Sequence, residues 1–208
     1  MDDIQLPVGR VALLLVELQN DIVDASKIGA KGVGGVLAAQ VAARGVLPKV
    51  RALIDAAHGA RVPVGYINYA RKPDFPRPRT RLHRRTGATP TLIEGTWGAE
   101  THAAVAPTAA DFVFTRCVGI DGSYGTQLYP VLRMLGRDVL LVCGVSTNLA
   151  VEGLVRASVN RGFELFVVED CCASYPDAWH DFSITNILPL LATVTSSPAV
   201  LAALRAAA

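Results

Sequence analysis

Short continuous apolar runs, each followed by a stretch with helical spacing, recur along this chain and leave it few ways to fold. Val11 to Val16 is the first run, and Val139 to Cys143 is the most apolar. A strand with no polar alternation has to be covered on both faces, as the strands of parallel sheets are. Further strands are expected at Val62–Ile67, Phe112–Thr115, Phe163–Val168 and Thr193–Thr195. Helical segments are expected at Val36–Ala60 with Pro48 at a helix start, at Thr126–Leu135 closed by Gly136, at Thr147–Arg161 closed by Gly162, and after Pro176 and Pro198. This order demands crossover helices, right-handed connections and an α/β fold around a mostly parallel sheet. In open sheets of that kind ligands sit beyond the carboxyl ends of the strands, so the residues just after each run are where chemistry belongs.

Composition narrows the class. At 208 residues the chain is read as one domain spanning 1–208. It is 51% hydrophobic and 18% charged with a net charge of +2, too apolar for disorder and too neutral for a general nucleic-acid coat. No apolar run reaches the roughly 18 residues of a membrane span, and the start MDDIQLPVGR lacks a basic, then apolar, leader pattern. A cytoplasmic protein with no membrane partner is expected. The four cysteines, Cys117, Cys143, Cys171 and Cys172, form no CxxC, which fits a reducing compartment, and two of them read as buried in strands. The histidines at 58, 83, 102 and 180 form no HxxxH or HExxH, so they read as ordinary surface or partly buried residues, and no metal is inferred.

Two segments interrupt the alternation. Residues 23–36 are glycine-rich but lack GxxxxGK[ST] and the third glycine of GxGxxG, which argues against a phosphate cradle. Residues 71–87, RKPDFPRPRTRLHRRTG, hold many arginines and prolines with one acid, Asp74. Proline suppresses helix, so this is a long basic loop: solvated, subunit-bridging, or a lid for an anionic substrate. With Phe75 as its sole aromatic residue it is a poor platform for nucleic acid.

The strand-end residues carry a resemblance. Ala12 to Ile22 reads ALLLVELQNDI, GTWGAE stands at Gly95–Glu100, Asp111–Arg116 reads DFVFTR ahead of Gly125-Thr126-Gln127-Leu128, and Gly144–Gly153 reads GVSTNLAVEG. In this order, from about residue 11 to 174, the chain resembles the isochorismatase-like, or cysteine-hydrolase, superfamily. The resemblance implies a three-layer α/β/α sandwich with a six-stranded parallel sheet, a small-molecule substrate, no cofactor, and a homo-oligomer with sites near subunit contacts. It also implies a cis peptide before Ser146, aiming backbone N–H groups into the pocket.

The departures from the family pattern bear on mechanism. Amide-cleaving relatives use an aspartate, a lysine and a cysteine, and the matching positions here are Glu17, Arg116 and Ala150. Alanine has no nucleophile, so a thioester at that position is excluded. Hydrolysis through a carboxyl acid or base needs no covalent step, and Glu17 is the candidate for that role. Arginine keeps its proton, so Arg116 can supply charge or a forked hydrogen bond but no proton; Glu17 and Arg116 could equally form a buried ion pair replacing aspartate and lysine. Ser146 and Thr147 stand where a helix N-terminus could hold an anion, or where they simply cap the helix. No histidine is near them in sequence. Trp97 and Tyr124 are candidate pocket walls beside Val145, Ser146 and Thr147, with a core role as the alternative for Trp97. Ile22 and Ser123 replace family phenylalanines and suggest a roomier pocket. Three function classes follow: a cysteine-independent hydrolase, a catalytically silent relative binding a metabolite or partner protein, and, far behind, a phosphate or nucleic-acid binder.

Overall fold

The computed structural model describes residues 4–30, 32–74, 80–81 and 91–206. Most of the basic 71–87 segment, with His83, therefore lies outside the described residues.

Six strands form one sheet: β1 Val11–Val16, β2 Val64–Tyr69, β3 Phe112–Arg116, β4 Val139–Val145, β5 Glu164–Ala173 and β6 Thr193–Thr195. Their order is β3-β2-β1-β4-β5-β6 and every pairing is parallel. Every residue of β1 and of β4 is buried, so the uninterrupted apolar runs are indeed covered from both sides. The core is built from Leu13, Leu14, Leu15, Leu140, Leu141 and Leu154 among others, each under 2% exposed. The layers are those of a three-layer α/β/α sandwich. Among the described residues no helix is long and apolar enough to cross a membrane.

The principal helices are α1 Asn20–Val23, α2 Val33–Arg44, α3 Val46–Gly59, α4 Leu128–Met134, α5 Glu152–Val159, α6 Asp177–Phe182 and α7 Ser197–Ala206. Three differences from the sequence reading have physical causes. The segment 36–60 divides at Gly45, whose φ of 61° ends α2 in the left-handed conformation and starts α3, so Pro48 sits inside the first turn of α3 rather than at the division. The helix expected over 147–161 opens with a wider π-helical turn, Thr147–Val151, before α5. β5 runs five residues beyond Val168 because its end pairs with the end of β4, Gly144 opposite Cys172, past an irregularity between Val142 and Gly144. That extension buries Cys171 and Cys172 along with Cys143, whereas Cys117, just past β3, is only half-buried. Gly144 has a φ of 121°, and a Cβ there would land on the carbonyl oxygen of Val16, so backbone meets backbone where β1 and β4 end.

Candidate functional site

The strand order reverses between β1 and β4: connections lead from β1 outward to β2 and β3, then return to β4 on the other side. Such a switch point opens a crevice at the carboxyl ends of the two strands. Val16 pairs with Gly144, which sets Glu17 and Val145 side by side at its base.

One wall is the Glu17 side. Glu17 leaves β1 with a φ of 52°, in the left-handed region a non-glycine residue seldom adopts, and its N–H donates to Ile67 O at 2.8 Å. Arg116, at the end of β3, reaches across β2 with its guanidinium 5.4 Å from the centre of the Tyr69 ring. Its Nη2 donates to Glu17 Oε1, and the two side chains are 3% and 15% exposed. Arg116 Nε has a long contact to Gly119 O at 3.4 Å, while Nη1 is buried with no partner among the described residues. Glu17 Oε2 accepts no hydrogen bond among the described residues.

The Gln19-Asn20-Asp21 run following Glu17 is a set of staples. The Gln19 amide accepts from Tyr69 N and donates to Tyr69 O and Ala99 O, tying the end of β2 to the Trp97–Ala99 turn. Asn20 donates to Trp97 O at 2.7 Å. Asp21 accepts from Leu92 N at 2.8 Å and pairs with Lys27 at 2.7 Å, and Gly98 lies so close to its carboxylate that no Cβ would fit. Trp97 itself is 50% exposed with the Lys27 ammonium 5.2 Å from its ring centre, and Tyr124 is 62% exposed. Both candidate pocket walls are thus surface side chains in this chain; Trp97 has no core role.

The other wall follows β4. The Val145–Ser146 peptide is cis, as the resemblance implied. Val145 and Thr147 are fully buried, Ser146 is half-buried, and Ala150 is 4% exposed in the π-helical turn. Ser146 O accepts from Leu149 N at 3.1 Å and Val151 N at 3.2 Å. Asn148 Oδ1 accepts hydroxyls from Ser174 at 2.5 Å and Ser146 at 3.4 Å.

Here the structure supplies a residue that sequence spacing did not. His180, from α6, is 2% exposed with Nδ1 2.8 Å from Thr147 Oγ1 and Nε2 2.8 Å from Arg44 Nη2. Arg44 also donates to Cys172 O at 3.1 Å and faces Glu169 at 3.4 Å. Burial first, and then the Arg44 charge, push the His180 imidazole down to about 4, so it is neutral. A guanidinium only donates, so Nε2 must be the acceptor and Nδ1 carries the hydrogen. Nδ1–H then donates to the Thr147 hydroxyl, and His180 cannot serve as that hydroxyl's base. The sequence signal was slight: 33 residues separate the pair, and only Pro176, which caps the start of α6 three residues past β5, marks where the chain turns.

The buried thiols beside this wall are poor nucleophiles. Burial pushes the Cys172 thiol up to about 12 and raises Cys143 and Cys171 well above the usual thiol range. Among the described residues no group of three histidine, cysteine or acidic side chains is placed to hold a metal ion.

Residues 11–199 match the isochorismatase domain family. The chain belongs to the isochorismatase family. Among its relatives in that family, the protein YecD of Escherichia coli O157:H7 is 41% identical over 81 residues, 39% of this chain and 43% of YecD. The match thus spans less than half the length of that relative. The ureidoacrylate amidohydrolase RutB of Methylorubrum extorquens is 26% identical over 208 aligned positions, 92% of this chain and 82% of RutB. In fold, a cysteine hydrolase from Pseudomonas syringae pv. phaseolicola superposes with a TM-score of 0.81 at 22% identity, covering 99% of this chain and 97% of that one.

Proposed function

We propose that this chain is an isochorismatase-family hydrolase of a small molecule that works without a covalent cysteine intermediate. Glu17 is the acid or base, Arg116 its electrostatic partner, and Ala150 occupies the place where amide-cleaving relatives carry their nucleophile. Water attacks the substrate while Glu17 relays the proton from water to the leaving group; Arg116 and backbone N–H groups between Ser146 and Ala150 hold the developing negative charge. Trp97, Tyr124, Val145, Ser146 and Thr147 contact the substrate. The chain works as a cytoplasmic homo-oligomer of one domain, with neither cofactor nor metal.

One observation carries this reading. Arg116 engages a single oxygen of Glu17, so Oε2 is left for substrate or water, and Arg116 Nη1 has no partner among the described residues. A carboxylate clamped through both oxygens would have neither. The kinship with an amidohydrolase makes amides the first substrates to try. A panel of small amides, esters and enol ethers, tested with wild type and Glu17→Gln, decides the matter. Glu17→Gln keeps an oxygen for Arg116 and loses the titrating group; turnover should fall by roughly 10²–10⁴-fold with the fold intact.

A second reading has its own support. Arg116 is a permanent cation, 3% exposed and paired with Glu17, so the two can be a structural ion pair in a relative that only binds a ligand. Saturable binding with no turnover across the same panel, equal in wild type and Glu17→Gln, would establish that alternative.

A further inference from the structure

The Thr147 hydroxyl has no route to activation by His180, yet the pair is buried, short and backed by further polar groups. Each link is directional. Arg44 can only donate, which makes His180 Nε2 an acceptor; His180 Nδ1–H then donates to Thr147; Thr147 is the first residue of the turn that ends at Ala150 and Val151. Arg44 is itself held by Cys172 O on β5 and by Glu169. A chain of hydrogen bonds therefore runs from α2 and β5, through α6, to the turn that follows β4.

We infer that His180 is a positioning residue: with its tautomer set by Arg44, it latches Thr147 and so fixes where the Ser146–Ala150 backbone stands relative to Glu17. The inference rests on the crevice being the site assigned above, but not on any turnover there. His180 touches no reacting atom. Its work is to hold the turn from behind, where Ser146 O already gathers Leu149 N–H and Val151 N–H. Protonation would release the latch, because Nε2–H would then point at the Arg44 guanidinium. The charges facing the ring are Arg44 from α2, Glu169 from β5 at 3.8 Å, and Asp177 and Asp181 from α6 itself. The nearest is the cation.

Nitrogen-15 NMR of the imidazoles in the intact protein reads the tautomer, with the His180 signal assigned by its loss in His180→Gln. An Nδ1–H tautomer is expected, and Arg44→Met should shift it toward Nε2–H; an Nε2–H tautomer in wild type overturns the inference. Amide hydrogen exchange at Leu149 and Val151 reads the latch. His180→Leu should lower protection there by about tenfold or more, whereas His180→Gln, whose amide can donate to Thr147 and accept from Arg44, should restore most of it. Wild-type protection should fall as the pH drops toward about 4, and His180→Gln should lack that step. Equal protection in His180→Leu and wild type, or the same acid step in His180→Gln, would refute it. None of these readouts needs a substrate, so they stand or fall apart from the hydrolase reading.

Discussion

The two walls of the crevice both bury polar groups, and they do so in opposite ways. On the Thr147 side each bond is directional and matched: Arg44 to His180, His180 to Thr147, Ser174 to Asn148. On the Glu17 side the bonding is incomplete. Arg116 Nη1 has no partner among the described residues, Nη2 donates to one oxygen of Glu17, and Glu17 bends through a left-handed φ to get there. A buried donor without an acceptor costs about 1–3 kcal/mol, more when charged, so a fold keeps one only where something compensates. On the proposed reading, the matched side-chain bonds of one wall hold its backbone in place, and the other wall keeps polar groups for a ligand to meet.

Three measurements would break or sharpen that contrast. Arg116→Met leaves a half-buried Glu17 without its cation and should lower unfolding free energy by about 3 kcal/mol in urea titrations; a loss under 1 kcal/mol would mean the pair is solvated and the two walls differ little. On the scaffold side, acid should be the weak point. Folded His180 is held neutral down to about 4 against an ordinary 6.5, so between those values the unfolded chain binds the extra proton. Its contribution is complete above pH 6.5 and is lost as the pH falls toward 4, by roughly 3 kcal/mol at most. His180→Gln should flatten that part of the stability–pH curve. Lys27→Ala, which removes the contacts to Asp21 and Trp97 at the rim, should cost about 1 kcal/mol or less while shifting Trp97 fluorescence.

Much of this was legible in the residue order. β1 and β4 announced themselves because strands buried on both faces cannot alternate, whereas Glu17, Arg116 and Ala150 were singled out only through the family resemblance, as the positions matching its aspartate, lysine and cysteine. Contacts fixed by tertiary return were not legible. His180 meets Thr147 only because β5 runs on to Ala173 and α6 folds back, and a lone histidine in DAWHDF carries no mark of that. Trp97 lies within GTWGAE as expected, yet its half-exposed ring under Lys27 goes with the pairing of that lysine to Asp21, a contact across 70 positions no pattern reports. The split of helix 36–60 at Gly45 rather than Pro48 shows why: proline fits a first turn, whereas the left-handed glycine interrupts the helix.

The missing side chain at Gly144 has a consequence for how such a protein can change. With bare peptide pressed on bare peptide under the crevice, its floor cannot be deepened or decorated; a single added methyl would act as a wedge and prise the two halves of the sheet apart. New ligand preferences have to be carved from the loops above, leaving this seam untouched.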